Sequence, residues 1–183
     1  MNLTAPAEIT FRAAVLTDAL CLGVLSTQVF LDTYATQGIR AALAREVLAQ
    51  HSVAAYDALL ADADVAIVVA ERAGHLVGFA QIRHGATDPQ VPAAAASELR
   101  RLYVQERFAG RGLGRDLLRQ AEKAAAARGA DMLWLTAWEG NQRALLFYPR
   151  CGYEDLGRTV YTFEGEAFPN HLFGKRVRHV APA

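Results

Sequence analysis

The chain has 183 residues, of which 52% are hydrophobic and 21% are charged, enough for one domain with a sizeable core. Its 19 Lys and Arg residues balance 19 Asp and Glu residues, and a net charge of zero disfavours binding to nucleic acids or anionic membranes. The sequence contains no recognisable membrane span or signal peptide, and its two cysteines have no metal-type spacing, so it predicts a reduced, cytoplasmic protein without a metal site.

The first half of the chain contains a short strand, two helical regions and a pair of strands. Thr17-Asp18 can cap a helix that runs to about Tyr34. A second helical region is one helix or two helices that separate at His51-Ser52. A β-hairpin follows, with its turn at Ala73-Gly74-His75. The predicted elements are a strand at 8–13, helical regions at 17–34 and 41–60, and strands at 65–70 and 76–82.

The centre of the chain combines a strand, a glycine-rich turn and a helix. Residues 101–104 are rich in strand-forming side chains, and Gly110, Gly112 and Gly114 follow in a tight turn. Apolar residues then recur at helical spacing from Leu113 onward, and a glycine at 129 suits the end of that helix.

The last third of the chain predicts one more strand, one helix and a final pair of strands. Residues 132–138 form the strand and 141–148 the helix, which Pro149 should end early. The final strands are predicted at 153–163 and 172–177, with 165–171 connecting them. The loop before the central strand is predicted at 85–96.

The central turn has the chemistry of an anion site. The first amides of a helix lack carbonyl partners, and glycines let the backbone approach a ligand closely. The positive charges of Arg107, Arg111 and Arg115 could add ion pairs. The spacing of the glycines differs from dinucleotide-binding and P-loop patterns, so they alone indicate either a generic anion-binding turn or a purely structural one.

The segment LYVQERFAGRGLGRDLL, residues 102–118, resembles the acetyl-CoA-binding motif of the GNAT superfamily of N-acetyltransferases. On its glycines, residues 109–114 align with the family pattern Q/R-x-x-G-x-G/A. Ala109 replaces the usual Gln or Arg, and Glu106 stands where a Pro is common. Ala109 keeps its backbone amide but loses the side-chain contact.

A second segment, LWLTAWEGNQRALLFYPRCGY at residues 133–153, resembles the later motif of the same family. That motif contains a strand, an Asn, a short helix with Phe-Tyr, and a Gly followed by an aromatic residue. Here those positions are Asn141, Phe147-Tyr148 and Gly152-Tyr153. Two motifs in the expected order strengthen the resemblance.

The resemblance implies the GNAT fold, which is a mixed α/β fold. The implied fold has a twisted mixed sheet, splayed central parallel strands and about four helices, in the order β-α-α-β-β-β-α-β-α-β-β. Residues 1–183 are then expected to form a single N-acetyltransferase domain.

The resemblance also implies acetyl-CoA as the acetyl donor. Leu102 and Val104 would pair with the pantetheine arm through their backbone, and Asn141 would lie beside that arm. The residues expected to contact the donor are Leu102, Tyr103, Val104, Ala109, Gly110, Arg111, Gly112, Leu113, Gly114, Arg115, Asn141 and Tyr148.

Acetyl transfer to an amine needs a base, a donor for the oxyanion and an acid for the leaving thiolate. Tyr148 matches the family's usual general acid, and its alternative is a core aromatic residue. The resemblance implies that Glu98 acts as the base or anchors a water chain, and its alternative is an exposed strand carboxylate. The amide of Val104 could stabilise the oxyanion.

The acceptor is expected to be a small primary amine. Thr33-Tyr34 and Trp138-Glu139 resemble the PaiA-type branch, which acetylates spermidine and spermine, and Thr33, Tyr34, Glu98 and Trp138 would line the acceptor site. Asp32 and Glu139 are further candidates for binding a cationic acceptor. Other acceptors left open are protein N-termini, lysines and amino-sugar antibiotics, and a non-catalytic acyl-CoA sensor is a separate reading. The last strand pair offers an edge that a homodimer could use.

Overall fold

The structure, a computed structural model, describes residues 8–163 and 166–177. Contacts divide these residues into two units. The first unit comprises residues 8–81 and 101–120, and the second comprises residues 82–100, 121–163 and 166–177. Among the described residues, no helix is long and apolar enough to cross a membrane.

The described residues form a mixed seven-stranded sheet and five α-helices, which confirms the predicted fold class. The strands follow the order β1-β2-β3-β4-β5-β7-β6. The strands are β1 Ile9–Ala13, β2 Val65–Arg72, β3 His75–His84, β4 Ala96–Val104, β5 Met132–Trp138, β6 Glu154–Phe163 and β7 Glu166–Arg176. The helices are α1 Ala19–Tyr34, α2 Ala41–Gln50, α3 Val53–Ala61, α4 Leu113–Ala127 and α5 Gln142–Arg150.

The fifth helix arises because the second helical region is split. The Ser52 hydroxyl accepts a hydrogen bond from the amide of Ala55 at 3.2 Å and caps α3. His51, between α2 and α3, is buried, and its Nδ1 lies 2.5 Å from the Ser26 hydroxyl of α1. This polar contact fixes the bend against α1, so of the two alternatives that the sequence left open, the structure has two helices.

The core of the first unit lies between helices α1 and α3 and strands β2 and β3. Leu22, Leu25, Tyr56, Val69 and Phe79 are buried there, and burying each such side chain contributes roughly 1.5–3 kcal/mol. The hairpin turn between β2 and β3 contains Ala73 and Gly74, both with positive φ, as a type I′ turn requires.

Asp18 precedes α1, as predicted, but its side chain does not cap the helix. Its carboxylate accepts hydrogen bonds from Arg12 Nη1 and Nη2 at 2.7 and 3.0 Å, and from the amide of Val15 at 2.8 Å. These bonds lower the pKa of Asp18, the Arg12 contact most strongly. The cap prediction is therefore wrong, because the carboxylate ties β1 to the segment before α1 instead.

The second unit carries a correction to the final strand pair. Residues 166–171, predicted as part of a connection, belong to β7, which pairs with β6 as far as Phe163 and Glu166. Residue 165 lies outside the described residues. This stretch contains Pro169, and proline is depleted in strands. It is tolerated here since β5 pairs with β7 only up to Asn170, so beside Pro169 one edge of β7 is free of strand pairing.

Candidate functional site

The glycine-rich turn of the first unit has the tight backbone conformation that the sequence predicts. Gly110 and Gly112 adopt φ values of 73° and 90°, which glycine alone adopts without strain. The amide of Asp116 donates to the carbonyl of Gly112 at 3.1 Å, so the amides just before it have no carbonyl partner within α4. A Cβ placed on Gly110 or Gly112 would meet no protein atom within 4 Å. The turn is therefore an open cradle, with space beside both glycines.

Side chains around the cradle divide into anchors and exposed cations. Leu113 is buried and holds the start of α4, so it can contribute only its amide to a ligand. Arg111 and Arg115 are exposed, Gly114 is partly buried between them, and Ala109 lies extended before the first glycine. An exposed arginine beside free helix amides favours an anionic ligand.

A cleft of about 880 Å³ borders the loop directly before the cradle. Its lining includes Gln28, Arg72, His75, Gln105, Arg107 and Phe108. The guanidinium of Arg72 lies 5.9 Å from the centre of the Phe108 ring. The cleft lining therefore carries charges of both signs, Arg72 and Arg107 together with Glu106. Sequence reasoning missed this cleft because Arg72 is remote from the turn in the chain.

Close packing at Gly78 fixes the strand that leads into the cradle. A Cβ on Gly78 would lie 2.8 Å from the Tyr103 carbonyl oxygen and 3.0 Å from Leu117 of α4. The Tyr103 ring packs against Phe79 at 5.4 Å, and burial raises the pKa of its hydroxyl. Tyr103 therefore belongs to the core, and only its backbone, with that of Leu102 and Val104, is suited to contact a ligand.

The predicted acceptor residues of the first unit lie at the end of α1. The Thr33 hydroxyl donates to the carbonyl of Val29 at 2.8 Å, so its proton is used within the helix. The Tyr34 ring packs on Phe30 at 4.9 Å and is 36% exposed. Asp32 is exposed. Tyr34 and Asp32 are thus accessible, whereas the Thr33 hydroxyl can only accept from a ligand.

In the second unit, backbone bonds fix Tyr148 on α5. The Asn141 side chain accepts from the amide of Ala144 at 3.0 Å and caps the helix start. At the other end, the Tyr148 carbonyl accepts from the amide of Tyr153 at 3.1 Å, and Gly152, with φ of 85°, donates to the carbonyl of Pro149 at 3.0 Å. This arrangement is a Schellman motif.

The helix end also corrects the prediction that Pro149 stops α5 early, since α5 runs to Arg150. Proline removes one helix hydrogen bond, but the Schellman bonds and the Cys151 amide, which donates to Tyr148, close the last turn. The Gly152-Tyr153 pair of the family motif therefore has a structural role: it holds the backbone that carries Tyr148.

Tyr148 lies in an aromatic cluster and is 9% exposed. Its ring centre is 5.2 Å from that of Phe147, 5.7 Å from Tyr153 and 5.9 Å from Phe173. Packing of this kind fixes the ring plane and hence the direction of the hydroxyl.

Glu98 is 8% exposed, so the exposed-carboxylate alternative is wrong. Its carboxylate accepts from Arg100 Nε at 2.8 Å. Burial raises the pKa of Glu98, the positive charge of Arg100 opposes that shift, and the carboxylate of Asp88 adds to it. A buried carboxyl group with a raised pKa is suited to accept a proton near neutral pH.

Strand register places Glu98 on the same sheet face as two tryptophans. Glu98 pairs with Trp134, and side chains two residues apart on β5 share a face, so Trp138 lies on that face too. The parallel register covers only three residue pairs, up to Glu98 and Trp134, although β5 continues for four more residues. The Trp138 ring lies over Gly140, where a Cβ would come within 2.3 Å of it.

Asn170 stands directly opposite Trp138 on β7 and was missed by sequence reasoning. It is 9% exposed, and its buried Oδ1 has no hydrogen-bond partner among the described residues. The predicted start of the last strand at 172 had left Asn170 in a loop. Glu139, a candidate for binding a cationic acceptor, instead forms an ion pair with Arg158.

Known proteins match this chain over a region that includes both motif segments, residues 102–118 and 133–153. A model of the acetyltransferase (GNAT) family matches residues 34–153. An uncharacterized N-acetyltransferase of Mycobacterium tuberculosis is 32% identical over 119 residues, which cover 65% of this chain and 72% of that protein. One of Lactobacillus delbrueckii is 31% identical over 78 residues, covering 43% of this chain and only 45% of the relative.

Among solved structures, the PaiA N-acetyltransferase of Thermoplasma acidophilum in complex with coenzyme A has the same fold. Its TM-score is 0.70 at 20% identity, and the match covers 92% of this chain and 99% of that one.

Proposed function

This chain belongs to the acetyltransferase (GNAT) family and is an acetyl-CoA-dependent N-acetyltransferase, and on that premise we propose that its acceptor is a small primary amine. We propose further that the amine attacks the donor directly, in a ternary complex within one domain. Polyamines are one candidate class of acceptor, because Thr33-Tyr34 and Trp138 resemble the PaiA-type branch.

The observation that carries the proposal is the open cradle at Gly110 and Gly112. Its positive φ values and free helix amides fit a pyrophosphate, and an acetyl-CoA transferase requires such a site. Backbone amides of residues 109–115 would hold the diphosphate, with Arg111 and Arg115 adding charge. Leu102 and Val104 would pair with the pantetheine arm, and Asn141 would lie beside that arm.

Acetyl-CoA supplies an activated carbonyl, whose C–S bond is replaced by a C–N bond while the amine loses a proton and the sulfur gains one. Tyr148 is proposed to donate the proton to the sulfur, and the amide of Val104 to stabilise the oxyanion. Glu98 is proposed to take the proton of the amine, directly or through water. The raised pKa of Glu98 and the fixed orientation of the Tyr148 ring support these roles.

The test is release of CoA thiol from acetyl-CoA against a panel of amines. The panel contains spermidine, spermine, amino acids, aminoglycosides and N-terminal peptides, and each product is identified by mass spectrometry. Saturable acetylation of a small amine supports the proposal. Turnover restricted to peptides would contradict the acceptor class, and tight acetyl-CoA binding without any turnover would favour an acyl-CoA sensor.

A further inference from the structure

Arg101 of β4 carries a positive charge that lacks a negative partner. Its side chain is partly buried, and its Nη1 donates to the Oε1 of buried Gln81 at 2.5 Å. Among residues 8–163 and 166–177, no carboxylate lies within 4 Å of this guanidinium. A partly buried charge without a counter-ion is costly, so such groups normally have an ion partner.

Neutral groups surround this guanidinium. It lies 6.0 Å from the centre of the Tyr56 ring, and it contacts the Tyr103 hydroxyl closely enough to affect its pKa. Burial, with a smaller effect of Arg101, lowers the pKa of His51 to about 4, so that ring is uncharged near neutral pH. Burial also keeps the Tyr56 hydroxyl protonated, because it raises its pKa. Neither Gln81 nor any of these three rings can balance the charge.

Glu46 is an acidic side chain whose charge interacts with that of Arg101. Burial raises the pKa of its carboxyl group, and the charge of Arg101 opposes that shift, so the two groups interact at a distance. They form no ion pair within 4 Å. A positive and a negative group of the first unit therefore interact without forming an ion pair.

We propose that Arg101 binds a carboxylate of the acceptor, and that the preferred acceptor is therefore an amino acid or a related amino-carboxylate. The inference rests on the proposed function and narrows its acceptor class. The planar guanidinium fork matches a carboxylate, and Glu46 offers the complementary charge for an ammonium group of the same molecule. A simple polyamine would bring more positive charge to Arg101 and would bind less well.

The location of Arg101 supports an acceptor role. It precedes Leu102, where the donor arm is proposed to pair with β4. The Tyr103 hydroxyl that it contacts also interacts with Tyr34, an exposed residue of the predicted acceptor wall. An acceptor held at Arg101 would therefore lie beside both the strand that leads into the cradle and the end of α1.

The test uses acceptors that differ only by a carboxylate. Lysine is compared with 1,5-diaminopentane, and ornithine with 1,4-diaminobutane, as ratios of kcat/KM. We expect the wild type to favour each amino acid at least about tenfold, and Arg101→Met to reduce that ratio at least about tenfold. Arg101→Lys should restore part of the preference. Arg119→Met removes an exposed positive charge of the same unit and should leave the ratio unchanged.

Arg101→Met also removes the hydrogen-bond donor to Gln81 and could lower stability. A loss of stability lowers kcat/KM for both acceptors alike, so the ratio of the two kcat/KM values is the quantity compared. A wild type that favours the diamines, or an Arg101→Met ratio equal to that of the wild type, would overturn the inference. Calorimetric binding of lysine and 1,5-diaminopentane to the CoA-loaded protein separates the two proposals. If no amine is acetylated, the proposed function fails. Binding of lysine that depends on Arg101 would still support the carboxylate site, and the lack of such binding would overturn that site.

Discussion

Replacing Tyr148 with Phe tests the proposed general acid with little change in packing. The substitution removes one hydroxyl group and keeps the ring that packs on Phe147, Tyr153 and Phe173. The backbone bonds that end α5 involve the carbonyl of residue 148 and are also kept. We therefore expect the variant to fold and to bind acetyl-CoA with an unchanged KM.

The expected loss is in kcat. A positioned general acid contributes roughly 10²- to 10⁴-fold to the rate, which corresponds to about 3–5 kcal/mol of activation free energy. The fixed ring and low exposure of Tyr148 favour a large effect, because a preoriented donor needs no rearrangement. Steady-state thiol release, measured across pH with the best acceptor of the panel, gives kcat and KM separately.

Tyr153→Phe is the matched control from the same aromatic cluster. The Tyr153 hydroxyl is buried and takes no part in the proposed proton transfer, so its removal should leave kcat unchanged. If Tyr148→Phe also kept its kcat within about threefold at every pH, Tyr148 would be a core aromatic residue and the acid would have to be sought elsewhere.

Three further predictions address the cradle, the base and the fold. Gly112→Ala places a residue with a Cβ at a φ of 90° and should raise the KM for acetyl-CoA at least tenfold. The control Gly85→Ala introduces similar backbone strain away from the cradle and should leave this KM unchanged. Equal KM values for the two variants would refute acetyl-CoA binding at the cradle. Glu98→Gln should remove the acid limb of the pH profile of kcat/KM, a limb that we expect above the usual pH range of a carboxyl group because the pKa of Glu98 is raised. The substitution should not lower stability near neutral pH, because a carboxyl group with a raised pKa destabilises the fold when it is ionised. An unchanged pH profile would exclude the base role. Asp18→Asn should lower the free energy of unfolding by about 2 kcal/mol, which corresponds to roughly 4–8 °C in Tm. The stability of the wild type should fall as the pH drops through the lowered pKa of Asp18. A Tm unchanged by the substitution would show that the bonds of Asp18 to Arg12 and Val15 contribute little.

Local patterns in the sequence were sufficient for most elements and for the cradle. The glycines at 110 and 112, followed at once by a helical repeat from Leu113, predicted a turn whose backbone the structure confirms. The hairpin turn at Ala73-Gly74 and the end of α4 at Gly129 were predicted for the same reason. In each case short-range sterics restrict the backbone to one conformation, so neighbouring residues carry enough information.

Where the prediction was wrong, long-range contacts outweighed local preference. Pro149 stays within α5 because the Schellman bonds to Gly152 and Tyr153 close the helix end. Residues 166–171 form a strand because β6 offers a full row of partners, despite Pro169. Strand pairing and helix ends provide hydrogen-bond partners for backbone N–H and C=O groups. The local propensity of a residue does not include these distant partners.

The sequence by itself determined the family motifs, the order of the elements and the residue types available for acetyl transfer. Only the tertiary structure decided which of those side chains are buried, paired or left without a partner. Glu98 is buried beside Arg100, Glu139 is neutralised by Arg158, and Arg101 has no carboxylate partner among the described residues. The physical reason is that the pKa of a titratable group depends on its burial and on the charges around it. The groups that bury or surround it are distant in the chain and become its neighbours only on folding.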